Sequence, residues 1–171
     1  MDILWSPWRS KYIQAFKDEN ENGKDKSCIF CDAHKSPGKE KELLVVAKRE
    51  KCFVMLNKFP YNGGHVMIAP VRHVSGIEEL SEEEALNLFK TIKETIKVLN
   101  HISNPHGFNI GINQGRVAGA GIPCHIHIHI VPRWNGDTSF MPVICETKVV
   151  SQALVETQEI VSKTFEELAA K

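Results

Sequence analysis

His125, His127 and His129 alternate with Ile126, Ile128 and Ile130 in the run Pro123-Cys124-His125-Ile126-His127-Ile128-His129-Ile130-Val131-Pro132-Arg133. Successive side chains of a strand point to opposite faces, so a strand over His125–Val131 puts three imidazoles on one face and three isoleucines on the other. The isoleucines have a packing task against a helix. The imidazoles, about 7 Å apart along the face and titrating near neutrality, have none. Three readings fit such a row. It is the polar face of an amphipathic strand, a metal site to which His-x-His supplies two ligands, or a nucleophile with its supporting groups. The residues upstream favour the last. Asn113-Gln114-Gly115-Arg116-Val117-Ala118-Gly119-Ala120-Gly121 is a loop of small residues whose backbone N–H groups can approach an anion closely. A neutral imidazole attacks phosphorus through one nitrogen while a carbonyl oxygen holds the N–H of the other and fixes the tautomer. Amide hydrogens offset charge on the phosphoryl oxygens. The product is a nucleotidyl-histidine that a second acceptor cleaves.

The surrounding elements have to hold that row in place. Leu43–Ala47, Cys52–Leu56 and His65–Pro70 are short apolar runs separated by turn residues, and predict an antiparallel meander. Ser81-Glu82-Glu83-Glu84 is a capping box that opens a helix. Leu86, Phe89, Ile92, Ile96 and Leu99 follow at helical spacing to about Asn100, short of Pro105. Gly107–Asn113 alternates as a strand. Leu154, Val161, Phe165 and Leu168 give a second long helix from about Val150. Strands and helices do not alternate regularly, so the expected class is α+β: an antiparallel sheet packed with two long helices. Trp5, Trp8 and Tyr12 mark residues 1–24 as an aromatic arm that packs on the body or on a partner, with a single domain over 25–171.

Composition bounds the partners. The 171 residues carry a net charge of zero, which excludes bulk capture of nucleic acid by phosphate neutralisation and leaves room for a small anionic ligand. No stretch has the roughly 18 uninterrupted apolar residues of a membrane span, and the N-terminal residues do not read as a signal peptide. The five cysteines are an odd number and only Cys28 and Cys31 are close, so the expected home is a reducing cytoplasm rather than a disulfide-forming compartment. Cys52, Cys124 and Cys145, in or beside apolar segments, are expected to be buried small hydrophobes. His65 is expected to be a satisfied structural histidine, and His101 and His106 surface residues.

His125-Ile126-His127-Ile128-His129-Ile130-Val131 resembles the motif of the histidine-triad (HIT) family, three histidines interleaved with apolar residues, at every position. Leu56-Asn57-Lys58, Pro60, Gly64-His65-Val66 and Ala69-Pro70 are similar to that family's ribose-side strand pair, and Asn113, Gly115, Ala118 and Gly119 to its phosphate-side loop. These matches span roughly residues 27–134 in the family's order. The resemblance implies a homodimer whose sheet continues across the interface, and a nucleotide substrate. It makes His127 the nucleophile, His129 the contact to phosphate or leaving-group oxygens, and His125 a supporting or metal-binding residue. Asn57 would meet the ribose hydroxyls and Asn113 the phosphate or ribose, beside Gly119 and Ala120 of the loop. A glutamine that many members place just before the triad is absent, and Gln114 is the candidate replacement. Trp5-Ser6-Pro7-Trp8-Arg9 at the start and Trp134-Asn135-Gly136-Asp137 with Phe140-Met141-Pro142-Val143 after the triad resemble a bacterial branch of diadenosine tetraphosphate phosphorylases and adenylyltransferases. Water or phosphate is then the second acceptor.

Cys28-Ile29-Phe30-Cys31 has the spacing of two thiolates on one tetrahedral metal, of a redox pair, or of two ordinary small residues. Some members of the family complete a structural zinc site with a histidine after the Ala-Pro strand and with the first histidine of the triad. That implies Cys28, Cys31, His73 and His125 as ligands here, with His34 as a competing third ligand.

Overall fold

The computed structural model describes residues 28–137 and 153–170. The aromatic arm, Cys145 and the segment containing Phe140–Val143 lie outside the described residues. The chain enters through a short helix α1 (Ile29–Lys35), absent from the expected element list, whose N-cap is Cys28. Strands β1 (Val45–Lys48), β2 (Cys52–Leu56) and β3 (Val66–Pro70) then form the expected antiparallel meander. The first begins two residues later than expected, after Leu44, whose φ of 59° lies in the left-handed region and breaks extension.

Helix α2 runs Glu82–Ser103. Its Ser81 hydroxyl accepts from the Glu84 amide at 3.2 Å and the Glu84 carboxylate accepts from the Ser81 amide at 2.8 Å, the reciprocal box read from the sequence. Asn104 closes it at φ 42°, just before Pro105. The buried stripe is Leu88, Thr91, Ile92, Thr95, Val98 and Leu99, whereas Leu86 and Phe89 are exposed. Threonines therefore share the core face, a contribution that counting only large apolar side chains misses. Strand β4 (Gly107–Ile112), a short 3₁₀ turn (Arg116–Ala118) and strand β5 (Ile128–Arg133) follow, and α3 (Leu154–Ala169) ends the described chain.

The five strands lie in the order β1-β2-β3-β5-β4, every neighbouring pair antiparallel. The last strand is thus inserted between β3 and β4, flanked on both sides. Alternation along the strands divides two cores. Val54, Leu56, Val66, Ile68, Ile128 and Ile130 pack with Leu88, Ile92, Val98 and Leu99 of α2 and Val161 and Phe165 of α3. Phe53, Met55, Met67 and Ala69, which face the other way, pack with Phe30 and Ala33 of α1. Each buried isoleucine contributes about 2–3 kcal/mol by removal from water. No helix among the described residues is long and apolar enough to cross a membrane.

Candidate active site and metal centre

Only His129 of the three histidines lies on the hydrogen-bonded strand. The expected strand over His125–Val131 is replaced by β5 starting at Ile128, and His125 and His127 sit on the irregular segment that leads into it. The Ile126 amide leaves the ladder to donate to the Val74 carbonyl at 2.7 Å. The three rings nonetheless form one cluster: His127 and His129 have centroids 4.8 Å apart, and Phe30 lies 5.2 Å from His125 and 4.7 Å from His127. With Phe30 of α1 packed against both rings, His125 and His127 are 0% and 4% exposed. The solvated-face reading is excluded by that burial.

Each ring is held differently. The His127 Nδ1–H donates to the backbone carbonyl of His125 at 2.9 Å, which leaves the lone pair on Nε2. Burial pulls the His127 pKa below the ordinary imidazole value, with the His125 carbonyl opposing the shift. His125 donates Nε2–H to the Pro70 carbonyl at 2.9 Å, which leaves its lone pair on Nδ1. Burial is the chief cause that lowers its pKa to about 4, assisted by His73 and His127. At the other end, the Tyr61 amide donates to His65 Nδ1 at 3.1 Å, so neutral His65 carries its proton on Nε2 and donates it to His129 Nδ1 at 3.0 Å. His129 then keeps its own proton on Nε2. His65 is buried and satisfied as expected, but the partner that satisfies it is the third histidine. Gly64 makes the position possible, with φ 71° at the turn into β3. His101 and His106 are exposed, as expected.

The His125 lone pair faces a second cluster. Its Nδ1 lies 3.3 Å from Cys28 Sγ and 3.7 Å from Cys31 Sγ, and Cys31 Sγ lies 3.2 Å from His73 Nδ1. The ligand atoms of Cys28, Cys31, His73 and His125 all lie within 4.8 Å of one another. A tetrahedral ion with bonds of roughly 2.0–2.3 Å needs donor separations of about 3.3–3.8 Å; the three short pairs lie near that range, and these four residues could hold one. The Pro70 carbonyl on the far nitrogen of His125 is the usual outer partner of a ligating imidazole. Burial, then the adjacent Cys28, pushes the Cys31 thiol up, a cost that a divalent cation between the sulfurs would remove. Two expectations are corrected here. His34 is not part of the group: it projects from the next turn of α1, its ring 6.0 Å from Phe53. Cys124 is exposed rather than buried, because the chain there has not yet entered the sheet.

The remaining candidates are less uniform. Asn57 follows β2, and its Oδ1 accepts from the Phe59 amide at 2.9 Å. Asn113 is half-buried just beyond β4. In the loop, Gly115 and Gly119 adopt φ of 83° and 92°, but the Gly119 amide donates to the Arg116 carbonyl at 3.0 Å and the Ala120 amide to the Gly115 carbonyl at 3.3 Å. Those two N–H groups close the 3₁₀ turn. Gln114 is turned to the segment before α2, accepting from the Ile77 amide at 3.1 Å and donating to Glu78 at 2.9 Å, so it does not replace the missing glutamine in this arrangement. Phe30 and the His65–His129 pair were not singled out from sequence. An apolar residue enclosed by two candidate ligand cysteines, and a histidine next to a turn glycine, were the available signs. A cavity of about 490 Å³ lined by Lys90, Lys93, Lys97 and His101 shares no residue with this cluster.

Comparison with known proteins agrees with the geometry. A relative named AP-4-A phosphorylase from Mycobacterium tuberculosis is 35% identical over 159 residues, covering 93% of this chain and 82% of its own. A Schizosaccharomyces pombe protein named bis(5'-nucleosyl)-tetraphosphatase (asymmetrical) is 34% identical over 84 residues, 49% of this chain and 46% of its own. Among solved structures, a hypothetical histidine triad nucleotide-binding protein from Sulfolobus tokodaii superposes with a TM-score of 0.65 at 27% identity, covering 82% of this chain and 93% of that one. A Zn-bound histidine triad family protein from Mycobacterium smegmatis shares the fold, with a TM-score of 0.65 at 21% identity over 84% of this chain and 96% of that one. The sequence profile of the HIT domain matches residues 38–136, and with it the three-ring cluster, the antiparallel sheet and the long-range identity converge: this chain belongs to the HIT family.

Proposed function

We propose that the protein cleaves a dinucleoside polyphosphate such as diadenosine tetraphosphate at the α-phosphorus, with inorganic phosphate as the second acceptor. The observation that carries this reading is the hydrogen bond from His127 Nδ1–H to the His125 carbonyl, which holds a neutral ring with its lone pair on Nε2. Nε2 attacks the α-phosphorus, the P–O bond to the leaving nucleotide breaks, and an adenylyl-His127 remains. His129, with its proton on Nε2, protonates or hydrogen-bonds the departing oxygen, and phosphate then attacks the adduct to give ADP. The relatives are named as enzymes acting on nucleotides, and the one that spans most of the chain is named a phosphorylase, which supports phosphate over water. Asn57 and Asn113 are read as the side chains that meet ribose or phosphate. A metal hydrolase built on the triad fits less well, because among the described residues only His125 of the three joins a ligand group.

Zinc is the ion that a Cys₂His₂ set favours, in a structural role because four protein ligands leave no open position. Strand β4, an edge strand with Ile110 and Ile112 exposed, supports a homodimer in which two sheets join. Sedimentation of the full chain as a monomer at micromolar concentration would dismiss that assembly. We also read residues 25–171 as one domain and 1–24 as an arm; a 1–24 deletion that fails to fold would contradict this division. The catalytic reading is tested by incubating the protein with diadenosine tetraphosphate, with and without phosphate. ADP plus ATP formed only with phosphate is the expected result. AMP plus ATP formed without it makes water the acceptor, and no turnover in either case leaves a binding module.

A further inference from the structure

We propose that Phe30 is a positioning residue for His127, through which occupancy of the Cys28–Cys31–His73–His125 centre sets the rate of nucleotidyl transfer. The inference rests on His127 being the nucleophile. Phe30 stands between the two cysteines in the first turn of α1, so the ligands that would anchor the metal also anchor its backbone. Its ring is fully buried and lies 4.7 Å from the ring of His127, at 36°, and 5.2 Å from that of His125, at 55°. It cannot move away without opening a cavity, and while it stays it packs against the His127 ring.

A second path joins the same two places. The His125 ring is fixed by the metal group through Nδ1 and by Pro70 through Nε2, and the carbonyl of that same residue holds the His127 proton. Helix α1 presses on one side of the nucleophile and the His125 backbone holds the other. A centre that lost its ion would free both at once. Small displacements of a reacting atom cost a large factor in rate, so loss of either restraint is read in turnover before substrate binding.

The test compares Phe30→Leu with Phe53→Leu. Both remove a buried ring from the same apolar cluster, but the Phe53 ring packs on Phe30 and His34 rather than on His127. Phe30→Leu should keep its zinc and show kcat about tenfold lower at unchanged KM. Two-bond ¹H–¹⁵N spectra should show His127 in mixed tautomers where the parent shows the Nδ1–H form alone. Phe53→Leu should leave kcat and the His127 spectrum as in the parent. Unchanged kcat and spectrum in Phe30→Leu, or equal losses in both variants, would overturn the proposal. Should Phe30→Leu not fold, zinc-free and zinc-loaded parent are compared by the same spectrum, and identical His127 signals overturn it. Failure to find any adduct on His127 in the parent is a separate outcome that removes the nucleophile and leaves the tautomer comparison readable.

Discussion

The two ends of the histidine row use one side chain in opposite ways. At the His125 end, the Nε2–H donates to a backbone carbonyl and Nδ1 is turned to two sulfurs, which leaves a lone pair that could serve a cation. At the His129 end, Nδ1 accepts from His65 and the proton stays on Nε2, which leaves an N–H that could serve an oxygen. His127 stands between them, its tautomer written by the backbone of the first. Three identical residues thus differ because of the partner each finds on its second nitrogen, and roles in this site are assigned by those partners.

The sharpest way to break the contrast is at the His129 end. His65→Phe fills the same buried volume but removes the donor to His129 Nδ1, so the proton on His129 is no longer confined to Nε2. We expect kcat to fall about 100-fold with little change in KM, measured by steady-state kinetics with diadenosine tetraphosphate. A change in KM alone would mean that His65 serves binding instead. At the other end, Cys31→Ser removes a ligand atom but no substrate contact. Bound zinc should be lost, the melting temperature should fall by roughly 10 °C, and kcat should drop by about tenfold. Atomic absorption and a thermal melt read the first two, and an unaltered melting temperature would remove the structural role.

The smallest effect is expected away from both ends. Glu84 accepts two hydrogen bonds from Arg72 and one from the Ser81 amide, and these contacts lower its pKa to about 2. A carboxylate depressed in the folded state stabilises that state fully above its unfolded value, about 4.5, and the contribution is lost as pH falls toward 2. Glu84→Gln should therefore cost about 1–2 kcal/mol at pH 7 and less at pH 3, with turnover unaffected. Denaturant melts at the two pH values check the sign, and an equal cost at both would show that packing alone is involved.

Much of this was legible in the residues. Short apolar runs bounded by turn residues located β2 and β3, Ser81 and Glu84 marked the start of α2, and the His-Ile repeat marked the site. The three histidines were identifiable, but their differences were not, since a tautomer depends on carbonyls and imidazoles brought in from Pro70 and His65 at sequence separations of 55 and 64. Phe30 was hidden for the same reason: nothing local says that the ring between two cysteines reaches a histidine nearly a hundred residues on, just before β5. The glycine-rich loop was legible only as a run of small residues, and its turn was not. Small residues permit close approach of an anion, but they equally permit a tight turn, and here the turn uses the amides of Gly119 and Ala120 itself.

The central claim is tested most directly by mass spectrometry of the protein incubated with diadenosine tetraphosphate in the absence of phosphate and quenched in acid-free conditions. An added adenylyl group located by peptide mapping on His127, released as ADP when phosphate is supplied and absent from His127→Ala, is the expected result. Full turnover by His127→Ala, or an adduct found on His129 or His125 instead, would contradict the account.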